Sequence, residues 1–446
     1  MKLIQTIKNI WKIEDLRKRI TITFLFVLVY RFGCYVVLPG IDPSALEAMR
    51  KFTDSGLMQL LDMFSGGAFS QASVFALGIM PYITASIVIQ LCGMVVPSFQ
   101  KMQREGESGR MKLNQYTRYL TVLILLVQAP AYLLNLRYQV ASAGGAVEMG
   151  FFTMIYLTIV MTAGAMFIMW LGEKITDKGI GNGISMIILV GIIARFPGAI
   201  VQEFTARLTT AQGGLVMFLV EIIILFAVTA GAVMLTQGTR KVPVQYAKRI
   251  VGNKQYGGAR QYIPLKVNAA NVMPIIFAQA LMFIPITLAG FGARANESGF
   301  IASMARVFGD MNGFWYNLVY FFMIVAFTYF YTAITVRPTQ MAEEMKKNSG
   351  FIPGIKPGKK TAEYLDSIMS RITLPGSIFL GIVAILPAFA RTFGVNQNFA
   401  QFFGGTSLLI TVGVVLDTLQ QVETHLMMHH YDGLMKSGKV KGRTQG

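Results

Sequence analysis

Ten stretches of this chain, each about 20 residues long, are almost wholly apolar, and no other feature limits its fold so severely. They lie near residues 20–39, 74–97, 116–136, 151–172, 183–202, 214–236, 269–290, 314–336, 372–390 and 401–422. A run of that length matches the hydrocarbon thickness of a bilayer. No water is available there to bond backbone N–H and C=O groups, so each run is expected to be a helix. The composition agrees: 54% of residues are apolar and only 14% charged, where a soluble domain carries roughly 25% charged residues. A piece near 57–72 is too short to span. The expected fold class is an all-α polytopic membrane protein with ten transmembrane helices.

The net charge of +18 raises the question of nucleic acid, but its distribution follows the membrane. An even number of spans puts both termini on one side. Residues 1–20, 98–118, 173–182, 238–266, 337–371 and 423–446 then share that side and hold 31 of the 40 basic residues. The positive-inside rule assigns that side to the cytoplasm. The basic start, Lys2 to Arg19, precedes a first run of full length with no small-residue cleavage pattern, so a retained helix is expected. Cys34 and Cys92 fall near opposite ends of their helices, and no disulfide is implied.

The expected organisation is a cytoplasmic segment over 1–19, a first five-helix half over 20–202, a second over 203–422 and a cytoplasmic tail over 423–446. The connections at 238–266 and 337–371 are longer than joining two helices requires. The first holds Arg240, Lys241, Lys248, Arg249, Lys254, Arg260 and Lys266 and no acid. Two readings stand: solvated positive-inside loops, or a docking surface for an acidic cytoplasmic partner such as a motor protein or a ribosome. Met80-Pro81-Tyr82-Ile83-Thr84-Ala85 and Met273-Pro274-Ile275-Ile276-Phe277-Ala278 share Met, Pro, Ile and Ala at the same offsets. They open spans that run in opposite directions, the pattern of an inverted repeat with proline-marked segments on a transport path. Proline is also favoured in any first helical turn.

Chemistry for an enzyme or a coupled carrier is thin. The ionisable groups that stand out in or beside the spans are Arg31, Glu221, Asp417 and Glu173, which suit helix packing as well as coupling. His425 and His429 share a helix face but lack a third ligand. Gly179-Ile-Gly-Asn-Gly183 follows a membrane helix rather than a strand and lacks the Gly-Lys-Ser/Thr ending of a phosphate loop. It reads instead as a tight turn launching the fifth span. A small-solute transporter needs a polar midplane site, and a membrane enzyme needs a catalytic constellation. Neither is evident, and no cofactor is expected.

Several motifs together resemble the SecY family: Met63-Phe-Ser-Gly-Gly-Ala68, Phe75-Ala-Leu-Gly-Ile-Met-Pro-Tyr-Ile83, Glu105-Gly-Glu-Ser-Gly-Arg110, Trp170-Leu-Gly-Glu173, Gly179-Ile-Gly-Asn-Gly-Ile-Ser185, Tyr246-Ala-Lys-Arg249, Pro264-Leu-Lys-Val-Asn268 and Phe403-Gly-Gly-Thr-Ser-Leu-Leu-Ile410. The resemblance implies a protein-conducting channel of two inverted five-helix halves in the bacterial cytoplasmic membrane. A gate between spans two and seven would open to lipid. It implies a constriction of Ile79, Ile83, Ile184, Ile188, Ile276 and Ile410, which can close by dewetting and still admit any side chain. The piece near 57–72 becomes a plug, with an apolar stretch (Leu57, Leu60, Leu61, Met63, Phe64) followed by Ser65, Gly66 and Gly67. Implied partners are the small membrane subunits SecE and SecG, the motor ATPase SecA, the ribosome, signal peptides, unfolded preproteins and membrane lipids, with no direct nucleic-acid substrate. Tyr246, Lys248, Arg249, Lys254, Lys356 and Tyr431 lie on motifs that resemble the family's partner contacts. Lys356 stands where the family usually has arginine, which keeps the charge and loses the bidentate fork.

Overall fold

The computed structural model describes residues 11, 13–41, 62–142, 150–209, 214–246, 249–251, 254–256, 260–270, 272–279, 281–282 and 313–436. Helices dominate. In chain order they are α1 (Glu14–Gly33), α2 (Met80–Val95), α3 (Pro97–Arg104), α4 (Glu107–Ser142), α5 (Phe151–Lys178), α6 (Gly183–Thr209), α7 (Gly214–Gln237), α8 (Phe314–Thr335), α9 (Pro338–Lys347), α10 (Lys359–Thr392), α11 (Gln397–Ala400) and α12 (Gly405–Lys436).

Seven stretches among the described residues are long and apolar enough to cross a membrane. They lie in α4, α5, α6, α7, α8 with α9, α10 and α12. Helix α2 joins them if it counts with α3 beyond the break at Val96. The expected first span forms α1, which carries Arg17, Lys18 and Arg19 in its opening turns. The expected seventh is described only in part, with residues 273–279 and 281–282 helical. The chain is thus a multi-pass membrane protein. Large side chains such as Phe152, Phe226, Met234 and Phe322 lie exposed on these helices, the placement that lipid rewards and water penalises. Span hydroxyls return to their own helix: Thr158, Thr229, Thr328, Thr332 and Thr373 each donate to the carbonyl four residues back, so they bring no orphan donor into lipid. Prolines 130, 197, 375 and 387 lie inside helices, as membrane helices tolerate.

The two long connections are not simple tethers. Residues 239–266 form β1 (Thr239–Tyr246), β2 (Arg249–Val251), β3 (Lys254–Tyr256) and β4 (Arg260–Lys266). Strand β1 pairs antiparallel with β4, Thr239 opposite Lys266. On its other edge it pairs with β5 (Gly350–Phe351), which belongs to the second connection. Val242, Val244, Leu265, Met345, Ile352, Leu365 and Met369 form a buried core beneath this sheet. The alternation over Lys241 to Val244 shows why a basic segment can be a strand: Val242 and Val244 are buried on one face, while Lys241 and Pro243 are exposed on the other.

The chain divides into two compact units, Met1–Ile200 with Val414–Gly446, and Val201–Gly413.

Candidate functional site

The first unit encloses a segment with almost no regular structure. Asp62–Phe64 makes one helical turn and 65–72 continue as turns. Yet Asp62, Met63, Phe64, Ser65, Ala68, Phe69, Ser70 and Ala72 are all buried. Buried turns carry backbone groups that need partners, and here side chains of the surrounding helices supply them. From α1, the Tyr30 hydroxyl donates to the Ser65 carbonyl at 3.2 Å and Arg31 Nη1 donates to the Gly66 carbonyl at 2.5 Å. Just beyond α1, Cys34 Sγ lies 3.7 Å from the Ser65 carbonyl. From α4, Tyr132 donates to the Phe69 carbonyl at 2.9 Å. Downstream, Leu38 N–H reaches the Ala72 carbonyl and Val74 N–H the Val36 carbonyl, both at 2.9 Å.

Two contacts tie the segment to α6. Gly66 has φ +68° and its backbone meets Gly191 so closely that a Cβ on Gly66 would lie 3.1 Å from the Gly191 Cα. Any side chain there is both strained and crowded. Four residues along α6, Arg195 forms an ion pair with Asp62. The Asp62 side chain is fully buried, while that of Arg195 is 29% exposed. The carboxylate also organises the turn itself: Asp62 Oδ1 accepts the Ser70 N–H at 2.7 Å, and the Asp62 carbonyl accepts the Gly67 N–H at 2.8 Å. The stretch expected to be apolar, Leu57 to Phe64, therefore holds a buried charge, and its partner is a second charge inside an expected span. Neither stood out in the sequence. The available signal was one acid and one base, each alone in an apolar stretch, where an unpaired charge is costly.

The other expected plug residues divide. Met63, Phe64, Ser65, Gly66 and Gly67 lie in the buried segment, and Leu57, Leu60 and Leu61 fall outside the described residues. Of the expected constriction, Ile79, Ile83, Ile184 and Ile188 belong to the first unit, and Ile276 and Ile410 to the second. Ile79, Ile83, Ile188 and Ile410 are buried, whereas Ile184 and Ile276 are half-buried. The two repeated motifs have matching local geometry. Ile83 N–H bonds the Ile79 carbonyl and Ile276 N–H the Val272 carbonyl, four residues back in each case.

Among the expected partner contacts, Tyr246 ends β1 opposite Gly350. Arg249 lies in β2, Lys254 in β3 and Tyr431 in α12. Lys356 is exposed in the turn after β5, and Lys248 falls outside the described residues.

The glycine-rich turn at 179–183 has its amides taken by the protein. Ile180 N–H bonds Thr23 Oγ1, Gly181 N–H bonds Gln421 Oε1 and Gly183 N–H bonds Thr176 Oγ1, at 2.9 to 3.0 Å. Arg19 Nη1 donates to the Gly179 carbonyl at 3.3 Å. The turn is a joint between α1, α5, α6 and α12. Gly181 supplies the positive φ, +82°, whereas Gly183 is needed for proximity: a Cβ there would lie 1.9 Å from the Gly172 carbonyl. Glu173, just beyond Gly172, holds Arg118 of α4 in a two-bond ion pair at 2.7 and 3.2 Å. Among the described residues no cluster of His, Cys, Asp or Glu could hold a metal.

A sequence profile of the SecY family matches residues 73–419. A protein translocase subunit SecY of Streptomyces scabiei is 42% identical over 435 residues, covering 96% of this chain and 98% of the relative. Two solved structures share the fold. One concerns the plug domain of the SecY protein, described as stabilising the closed state of the translocation channel and maintaining a membrane seal. It matches with TM-score 0.60 and 19% identity over 92% of each chain. The other, an idle yeast Ssh1 complex bound to the 80S ribosome, matches with TM-score 0.62 and 14% identity over 91% of this chain and 89% of that one.

Proposed function

This chain belongs to the SecY family, and from that membership we propose how it works as a protein translocation channel. Unfolded preproteins cross the bacterial cytoplasmic membrane through it, and transmembrane segments leave sideways into lipid between spans two and seven. It is a channel subunit, not an enzyme, so the driving force comes from a partner: a SecA-type motor ATPase or a translating ribosome. SecE and SecG act as its small membrane subunits. Both termini and the sheet-forming connections face the cytoplasm, in keeping with the 31 basic residues on that side.

What carries this reading is the Asp62–Ala72 segment. It is enclosed by its own unit and attached to it largely by side-chain contacts to backbone carbonyls. That is how a removable seal has to be built, since a segment paired through a continuous sheet or helix could not leave without unfolding its neighbours. Residues 57–72 are accordingly the plug, and the six isoleucines the constriction it backs. The isoleucine ring offers no polar site at which an ion could replace its hydration, yet it yields to a passing chain. The basic strands carrying Tyr246 (β1), Arg249 (β2) and Lys254 (β3), with Lys248 between them in sequence and Lys356 and Tyr431 beyond, receive the motor or the ribosome through long-range charge attraction.

The decisive experiment is reconstitution of the chain with its small subunits into liposomes, with a radiolabelled precursor outside. Protease-protected precursor should accumulate only when the motor and ATP are both present. Equal protection without the motor, or none with it, overturns the assignment.

A further inference from the structure

The contact between Asp62 and Arg195 differs in kind from the rest of the plug's attachments. Tyr30, Arg31 and Tyr132 hold backbone carbonyls, so they recognise the path of the chain and not its sequence. Asp62 is the charged side chain in the described plug segment, and its carboxylate is fully buried beside a guanidinium that remains 29% exposed. We propose that Asp62 and Arg195 are a positioning pair that latches the plug closed and so sets how strong a signal sequence must be to open the channel. This rests on reading residues 57–72 as the plug.

The physics makes the pair asymmetric. A carboxylate with no access to water needs its counter-charge. If Arg195 loses its charge, the closed state contains an uncompensated buried anion, and every state in which the plug has left for water is favoured relative to it. If Asp62 loses its charge instead, Arg195 retains part of its contact with solvent, and the closed state suffers little. An amide at position 62 still offers an oxygen to the Ser70 N–H, so the turn keeps its internal bond. The more exposed partner is therefore the more sensitive one, the reverse of what burial alone predicts for a residue that merely supports the fold. Removing both charges should cancel most of the effect of removing the arginine's, because no buried anion is left.

The pair acts on a population and not on the pore. A latch that favours the closed state sets what differential binding a signal sequence must contribute before the open state dominates. Weakening it should relax the requirement for a good signal sequence while leaving transport of a precursor with an intact one almost unchanged.

The test compares wild type, Arg195→Gln, Asp62→Asn and the double variant, each as the full chain in membrane vesicles with motor and ATP. The readout is transport of a precursor with a shortened signal-sequence core relative to the intact precursor, together with resting ion conductance. Arg195→Gln should raise the transport ratio about tenfold or more, and the other two should stay within about threefold of wild type, as expected when one buried charge shifts a two-state balance. A second measurement separates the latch from the plug itself. Ser65→Cys, in a chain also carrying Cys34→Ser and Cys92→Ser, places a thiol at a buried position of the plug segment. A membrane-impermeant maleimide should leave it unmodified in the resting channel and modify it during transport, and modification at rest contradicts the closed geometry from which the latch is read. If the thiol stays protected throughout transport, the segment need not move and the plug reading falls. If transport exposes it but Arg195→Gln behaves as wild type, or the double variant is as permissive as Arg195→Gln, the plug stands and the latch is wrong.

Discussion

At the scale of single residues, buried charge is where this protein is most exposed to mutation. Arg207 holds two carboxylates in the second unit: Nε bonds Glu203 at 2.9 Å and Nη2 bonds Glu221 at 2.5 Å, with all three side chains buried. Glu203 also accepts the Asn396 N–H at 2.9 Å, while among the described residues Glu221 Oε2 has no hydrogen-bond partner. Among those residues one guanidinium faces two carboxylates, and the two glutamates are unequal in how well they are satisfied. Arg207→Ala should therefore destabilise by about 3–5 kcal/mol, because it strands both carboxylates. Glu221→Gln should cost about 1 kcal/mol or less, because it removes the poorly satisfied charge. Thermal unfolding in detergent would rank them, and a Glu221→Gln as damaging as Arg207→Ala contradicts this account. The isoleucines make a different kind of prediction. Changing several of Ile79, Ile83, Ile188, Ile276 and Ile410 to serine should wet the constriction and raise resting conductance in planar-bilayer recordings. A closed channel that stays as ion-tight as wild type removes them from the pore.

At the scale of elements, the helices were legible because lipid imposes one rule on every apolar run. The ends were less so. The charged stretch at 98–118, expected as a turn, contains α3 and the start of α4, and the connection at 337–371 contains α9 and the start of α10. A helix that leaves the membrane keeps its hydrogen-bond ladder in water, so the polarity boundary and the helix boundary need not coincide. The strands of 239–266 went unread because the basic residues obscured the alternation of Val242 and Val244. The Asp62–Arg195 pair was missed because the sequence separates its members by 133 positions, and each alone looks like an interruption of an apolar stretch. The basic connections yield a prediction of their own. Arg249→Glu together with Lys356→Glu should weaken motor binding strongly at low salt and little at high salt, since the attraction is screened within about 10 Å at 0.1 M. Unchanged low-salt affinity in a co-sedimentation assay rules this surface out as the dock. Gly183→Ala should damage the joint between α1, α5, α6 and α12, because its Cβ collides with the Gly172 carbonyl, and a backbone atom cannot rotate away as a side-chain tip can. Thermal stability close to wild type would show that the joint relaxes.

At the scale of the molecule, orientation is the most accessible question. A cysteine placed at position 254 in a Cys34→Ser, Cys92→Ser background should resist membrane-impermeant maleimide in intact cells and react once the membrane is opened. Labelling in intact cells inverts the topology. The sheet has a mechanical consequence as well. Strand β5 is bonded to β1, so two connections about a hundred residues apart form one stiff plate. The plate stands at the foot of α10, whose 34 residues make a column about 50 Å long at 1.5 Å per residue, well beyond the roughly 30 Å hydrocarbon layer. A load placed on β1 or β4 is carried by hydrogen-bonded strands and not by a slack loop. It reaches the column as torque, and a partner pressing on the plate from the water has a handle on the part of the protein that lies in lipid.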